Sequence, residues 1–343
     1  MDTLFKELRM RPKVSVIVPI YNVGECLKYC LESCISQTLK DIEIICINDG
    51  STDNSLDILN EYAASDSRIK VLTQKNQGAG PARNNGIKIS TGEFLAFIDP
   101  DDLYPNNNIL QRLYDSAKVQ NAKVCGGSLS VLDNGEIKSG SPDSIFKEEG
   151  WINFSDYQYD YFYQRYIYDS EFIKSNNLYF PDFRRFQDPP FFLSVMKLVK
   201  RFYAIPDITY QYYESRNGKT TDSKKVFDWL KGLEYCLNLS KIEGWNKVHT
   251  NICKRINSRY YREIFSYQYE HYNLPVIIQL VKTVNLMDLD IIRSLEPEFY
   301  YNDFIKSFLK KVIIRRFFTI EKQNGEKYLY IFHIKIRLTN KEK

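Results

Sequence analysis

This sequence contains no long hydrophobic run, no signal-peptide pattern and no ordered set of cysteines. No uninterrupted apolar stretch approaches the roughly 18 residues that cross a bilayer, and Met1 to Lys13 is mixed and charged. Neither a membrane-spanning protein nor a secreted disulfide scaffold is therefore expected, and the motif-bearing region is expected in the cytoplasm. The seven cysteines lack both the close pairs of soft tetrahedral metal sites and a disulfide framework. Cys26, Cys30 and Cys34 recur every four residues, which puts them on one helix face and reads as core. Net charge is only +4 over 343 residues and no nucleic-acid recognition motif accompanies it, so no nucleic-acid partner is expected. That length suits a catalytic domain with an appendage.

What the chain does have is an alternation of buried-strand and helix patterns. Val14 to Asn22 begins as a continuous apolar run of the kind that fills a parallel strand covered on both faces. Glu25 to Ser36 reads as a helix, Ile42 to Ile47 as a second strand, Ser55 to Ala64 as a helix, Ile69 to Thr73 as a third strand and Phe94 to Ile98 as a fourth. Short βα connections of this kind predict an α/β fold with a mostly parallel sheet flanked by helices. The third and fourth strands are separated by Asn76-Gln77-Gly78-Ala79-Gly80-Pro81-Ala82-Arg83, a glycine-bearing loop entering a helix with Pro81 in its first turn. Such a helix start favours anions, and Arg83 lies one turn in.

Directly after the fourth strand stand three carboxylates, in Asp99-Pro100-Asp101-Asp102. Ligands of open α/β sheets bind at the carboxyl ends of the strands, where hard oxygen ligands suit Mg²⁺ or Mn²⁺ bridging phosphate oxygens. A solvated acidic turn is the alternative reading of the same residues.

Taken together, Pro19-Ile20-Tyr21-Asn22, Asn48-Asp49-Gly50-Ser51-Thr52-Asp53, Asn76-x-Gly78 with Ala82-Arg83-Asn84-x-Gly86, and Asp99-Pro100-Asp101-Asp102 resemble family 2 glycosyltransferases in order and spacing. These are inverting nucleotide-sugar enzymes of the Rossmann-like GT-A fold. The close resemblance covers residues 13 to 105, and a looser one runs to about 222. It implies that Pro19, Tyr21 and Asn22 border the nucleotide and that Asp49 bonds the uracil. It places Arg83 near the diphosphate and gives Asp99 and Asp101 to ribose and a divalent metal, Mn²⁺ or Mg²⁺. Asp102 carries no assigned role.

The family also places an acidic pair some eighty to ninety residues beyond this turn, and Phe186-Gln187-Asp188-Pro189-Pro190-Phe191-Phe192 resembles it, with Gln187 replacing the usual Glu. Asp188 is thereby implied as general base, and as a helix N-cap in the purely structural reading. The implied reaction moves a sugar from a UDP donor to a hydroxyl of a glycan or lipid-linked saccharide in bacterial surface polysaccharide or lipooligosaccharide assembly. A nucleotide-sugar-binding pseudoenzyme or a non-catalytic membrane-surface protein is the alternative.

Of the nine rings between Trp151 and Tyr168, most are expected in packing and one or two at the acceptor. Tyr212, Tyr213, Arg216 and Lys219 form a loop that is suited to covering the diphosphate. Residues 1–12 are expected as an arm, 13–222 as the catalytic domain and 223–343 as a helical basic region. From Lys306 to Lys343, eleven Lys or Arg face three Glu, a local charge of +8 that suits peripheral contact with the anionic inner membrane.

Overall fold

The computed structural model describes residues 11–214, 222–256 and 274–296, together with three strands between 318 and 338. Arg216 and Lys219, and the basic stretch 306–317 on which much of the membrane reading rests, lie outside the described residues.

Strands β1 (Val14–Ile20), β2 (Ile42–Asn48), β3 (Ile69–Thr73) and β4 (Phe94–Phe97) alternate with helices α1 (Cys26–Ile35), α2 (Ser55–Ser65) and α3 (Ala79–Ile89). They lie side by side in the order β3-β2-β1-β4, all parallel. β1 and β2 are buried at every position, as continuous apolar runs in a covered parallel sheet require. Leu27, Cys30, Leu31 and Cys34 of α1 are buried, whereas Cys26, at the start of the same helix, is exposed. The cysteine face is therefore core from its second residue onward. Helix α3 lies directly on β1, since a Cβ on Gly86 would come within 2.4 Å of Ile17 Cγ2. That close approach fixes the height of Arg83, one turn earlier on the same helix.

The second half continues with α4 (Ile109–Val119), β5 (Val124–Asp133), β6 (Glu136–Ser139), β7 (Gly150–Asn153), α5 (Phe154–Tyr157), β8 (Tyr166–Asp169), α6 (Ser170–Ser175), α7 (Asp188–Val199) and β9 (Arg201–Tyr213). β8 joins β4 to β5, antiparallel to both, and β9 runs parallel to β5. Phe154, Tyr163, Tyr166 and Tyr168 are fully buried, so these rings of the aromatic segment are core.

Helices α8 (Ser223–Glu243), α9 (Asn246–Ile256), α10 (Leu274–Asn285) and α11 (Leu289–Leu295) follow. The chain forms two compact units, Met1–Val248 and His249–Lys343, and α8 packs on α7 within the first. In the second unit the expected helices are seen in α10 and α11, but the helical expectation for residues 223–343 fails over 318–338. There β10 (Phe318–Gln323), β11 (Glu326–Ile331) and β12 (Ile334–Leu338) form an antiparallel sheet. The reason is legible in retrospect: Ile334-Lys335-Ile336-Arg337-Leu338 alternates with period two, and Asn324-Gly325 is a strong hairpin signal. No helix among the described residues is long and apolar enough to cross a membrane.

One buried carboxylate belongs to the fold alone. Glu43, at the amino end of β2, accepts from Ser15 Oγ at 2.5 Å and from the Thr91 amide at 2.6 Å, and pairs with Lys70 Nζ at 2.6 Å. Burial opposes its charge, but Lys70, Ser15 and Thr91 outweigh burial and hold the carboxyl below its ordinary range. A lowered native value contributes stability that is present above the unfolded value of 4.5 and is lost as pH falls through the native one. Urea midpoints measured from pH 6 down to pH 3 should therefore fall in the wild type, and Glu43→Gln should flatten that limb while lowering the midpoint at pH 6 through its unpaired partners.

Candidate active site

The carboxyl ends of β1, β2 and β4 carry the motifs. Asn22, in the left-handed region at φ 50, accepts from the Thr52 amide at 2.7 Å and so ties the end of β1 to the loop after β2. Gly50, at φ 74, passes so near the neighbouring loop that a Cβ would sit 3.0 Å from the Asn76 amide. Asp49 is 2% exposed and accepts from Gln74 Nε2 at 2.7 Å, the Gln77 amide at 2.9 Å and the Gly78 amide at 2.7 Å. It thus holds the glycine loop in place and, of about four lone-pair sites, keeps one for a further donor.

Beside these loops lies a cleft of about 400 Å³ lined by Pro19, Ile20, Tyr21, Asp49, Asn76, Gly78 and Ala79. Arg184, Asp222 and Lys225 also line it, and no motif marked them. Only Asp222 had a sequence signal, as the residue before a helix: its side chain accepts from the Lys225 amide and caps α8. Of the expected nucleotide residues, Pro19, Tyr21 and Asp49 line this cleft, whereas Asn22, Arg83 and Asp99 are not part of its wall.

Arg83 is 3% exposed and reaches two carboxylates at once. Its Nη2 lies 2.6 Å from Asp99 Oδ1 and its Nη1 3.2 Å from Asp188 Oδ1. The rings of Tyr163 and Phe180 lie 5.4 and 5.3 Å from the guanidinium. Burial works against its charge, yet Tyr163, Asp99 and Asp188 outweigh burial and hold the guanidinium above its ordinary value. Aspartates from two distant motifs are thus brought to one cation. Asp188 opens α7 and its side chain is 37% exposed. Beside it, Gln187 is buried and its Oε1 has no partner among the described residues. Gly80 gives it room, since a Cβ there would meet Gln187 Cγ at 3.4 Å and the Pro181 carbonyl at 3.0 Å.

Asp102 turns away from solvent, accepting from Tyr210 Oη at 2.5 Å and from the Tyr213 amide at 2.7 Å. Burial, then the charges of Asp99 and Asp101, raise its carboxyl well above the ordinary value, and its two hydrogen bonds tie the acidic turn to β9. Asp101 instead borders a second cavity of about 280 Å³ with Tyr29, Leu103, Leu132 and Tyr213. No group of three or more His, Cys, Asp or Glu among the described residues could hold a metal alone. The donor set nonetheless fits an ion of the Mg²⁺ type, which is held by one or two carboxylates plus substrate phosphates.

Residues 15–180 match the Glycosyl transferase family 2 model. Over 270 residues the chain is 31% identical to YibD, an uncharacterized glycosyltransferase of Escherichia coli, covering 76% of this chain and 75% of that one. It is 34% identical over 221 residues to EpsJ, an uncharacterized glycosyltransferase of Bacillus subtilis, a stretch that spans 62% of this chain and 64% of EpsJ, a little under two thirds. It is 32% identical over 214 residues to the poly(ribitol-phosphate) beta-glucosyltransferase of Bacillus spizizenii, covering 60% of this chain and 33% of that one. In fold it resembles residues 1–349 of TarS from S. aureus, crystallised in complex with UDP-GlcNAc, with a TM-score of 0.65 at 18% identity over 96% of this chain and 99% of that one. The Rossmann-like sheet, the order of motifs along it and these relatives agree: the chain belongs to glycosyltransferase family 2.

Proposed function

We propose that the chain transfers a sugar, with inversion, from a UDP-linked donor to a hydroxyl of a bacterial surface glycan or lipid-linked saccharide. The observation that carries this reading is the single guanidinium of Arg83 shared by Asp99 and Asp188. One side chain thereby links the candidate base to the acidic turn on which the donor would sit. The UDP-GlcNAc complex of TarS and the poly(ribitol-phosphate) substrate of the Bacillus spizizenii enzyme support donor and acceptor class.

In this reading Pro19 and Tyr21 flank the base and Asp49 accepts from its ring N–H with its remaining lone pair. Asp188, the more exposed member of the cluster, takes the proton from the acceptor hydroxyl as that oxygen attacks the anomeric carbon in line with the leaving diphosphate. A single displacement inverts the configuration. Asp101, with Asp99 beside it, would hold a divalent ion that supplies Lewis-acid neutralisation of the diphosphate when bound. Arg83 stands between the Asp99 and Asp188 carboxylates and pairs with both.

Thermal unfolding with a panel of UDP-sugars, with Mn²⁺ and with chelator, tests the donor site, since a ligand of the native state raises the midpoint by mass action. UDP with Mn²⁺ is expected to protect the wild type, and Asp101→Asn is expected to lose that protection and nearly all transfer. Full transfer in chelator overturns the metal assignment. Protection by UDP-sugars without turnover on any saccharide acceptor favours the pseudoenzyme.

A further inference from the structure

Gln164 belongs to none of the motifs, yet it is joined to the first aspartate of the acidic turn. Its Nε2 donates to Asp99 Oδ2 at 2.8 Å, while Arg83 Nη2 holds Asp99 Oδ1 at 2.6 Å. One carboxylate is thus gripped at both oxygens by two side chains that are themselves buried, Gln164 at 8% exposure and Arg83 at 3%. Two of its roughly four lone-pair sites are taken, and the directions of the others are set by these donors.

The backbone that presents Gln164 is constrained on every side. Phe162 stands in the left-handed region at φ 59 and ψ 51, a conformation that a bulky residue adopts only where its surroundings impose it. In the following turn, Tyr163–Arg165, the Tyr163 carbonyl accepts from Tyr168 Oη at 2.6 Å and the Arg165 carbonyl from Thr209 Oγ1 at 2.8 Å. Arg165, fully buried, donates to the carbonyls of Gly127 and Ser144 at 3.0 and 2.8 Å. Tyr163 also puts its ring against Arg83. One three-residue turn therefore supports both members of the Arg83–Asp99 pair, with Tyr163 against the guanidinium and Gln164 on the carboxylate.

The other end of the Gln164 amide argues the same way. Oε1 is buried without a partner among the described residues, an arrangement that costs free energy and that an apolar side chain of the same length would avoid. What the amide supplies in exchange is the bond to Asp99.

We infer that Gln164 is a positioning residue of the donor site, acting through Asp99 to fix the carboxylate that the donor and its metal meet. The inference rests on the donor-site reading given above. It is tested on the full chain by calorimetric titration of UDP with Mn²⁺ into the wild type, Gln164→Met, Asp99→Asn and the double variant, each with its thermal midpoint. Met keeps the length and removes the amide. Gln164→Met is expected to weaken UDP binding about tenfold, as loss of a hydrogen bond to a charged group does, and to raise the Mn²⁺ concentration needed for half-maximal binding. In the Asp99→Asn background the same substitution is expected to change binding less than about twofold, because coupled residues are not additive. Gln164→Glu, which sets a second carboxylate against Asp99, should bind more weakly than Gln164→Met. Wild-type UDP affinity and Mn²⁺ midpoint in Gln164→Met, with only its thermal midpoint lowered, would mark a structural residue and overturn the inference, as would full additivity in binding. Should the wild type bind no UDP, the donor-site reading falls by itself. The four thermal midpoints then still decide whether Gln164 acts through Asp99, with coupling supporting that link and additivity overturning it.

Discussion

Asp188→Asn is expected to lower turnover by on the order of 10² to 10⁴-fold, the usual cost of removing a positioned general base, while leaving UDP affinity and most of the stability in place. Three observations separate these effects. Asp188 is 37% exposed, so its carboxylate can reach a substrate that the 4% exposed guanidinium behind it cannot. The amide oxygen of Asn can still accept from Arg83 Nη1, so the contact now at 3.2 Å keeps a partner. Asp188 stands in the first turn of α7, where loss of a negative charge costs about 0.3–1 kcal/mol through the helix dipole. Single-turnover rates with a verified acceptor, UDP titration and a thermal melt on the same protein separate the three quantities. Normal turnover in Asp188→Asn would move the base to another carboxylate. Gln187→Glu is a less clean companion, since the new carboxylate would occupy a buried position where the amide oxygen has no donor among the described residues.

Arg83→Met should be the most destabilising single change at this site, lowering stability by about 3 kcal/mol or more. Breaking a buried ion pair from one side costs roughly 3–5 kcal/mol because the partner charge stays behind, and here two partners stay behind, Asp99 and Asp188. Their partial exposure, at 24% and 37%, admits water and keeps the loss at the lower end of that range. For a unit of this size each kcal/mol moves the thermal midpoint by about 2–4 °C, so a drop near 10 °C is expected. Arg83→Lys should recover only part of it, because an ammonium is a point charge without the fork that meets one carboxylate at each terminal nitrogen. Adding Asp188→Asn to Arg83→Met should restore stability by removing one orphaned charge. A midpoint for Arg83→Met within a degree or two of the wild type would show that the two aspartates find other partners, and the shared cation would lose its place at the centre of the site.

How much of this was legible beforehand follows from the range of the forces involved. The strands β1 to β4, their parallel order and the helices between them are written in the continuous apolar runs of Val14–Ile20 and Ile42–Asn48 and in the short turn-rich links. Burying such runs on both faces leaves a covered parallel sheet as the arrangement, and local chemistry is enough to say so. The motifs at the strand ends were equally local, and with them the family. The alternation after residue 318 is equally local, but basic residues interleaved with apolar ones also fit a surface helix, so the segment's composition supports two structures. What the sequence did not hold was the pairing of charges across the fold. Whether Arg83 meets one aspartate or two, whether Asp102 faces solvent or Tyr210, and whether Gln164 touches anything at all depend on which side chains meet when the turn before β8, strand β9 and the start of α7 come beside the acidic turn and α3. Those contacts join residues 16 to 108 positions apart. A hydrogen bond acts over about 3 Å, so only the tertiary structure, by bringing these atoms within that distance, could decide them.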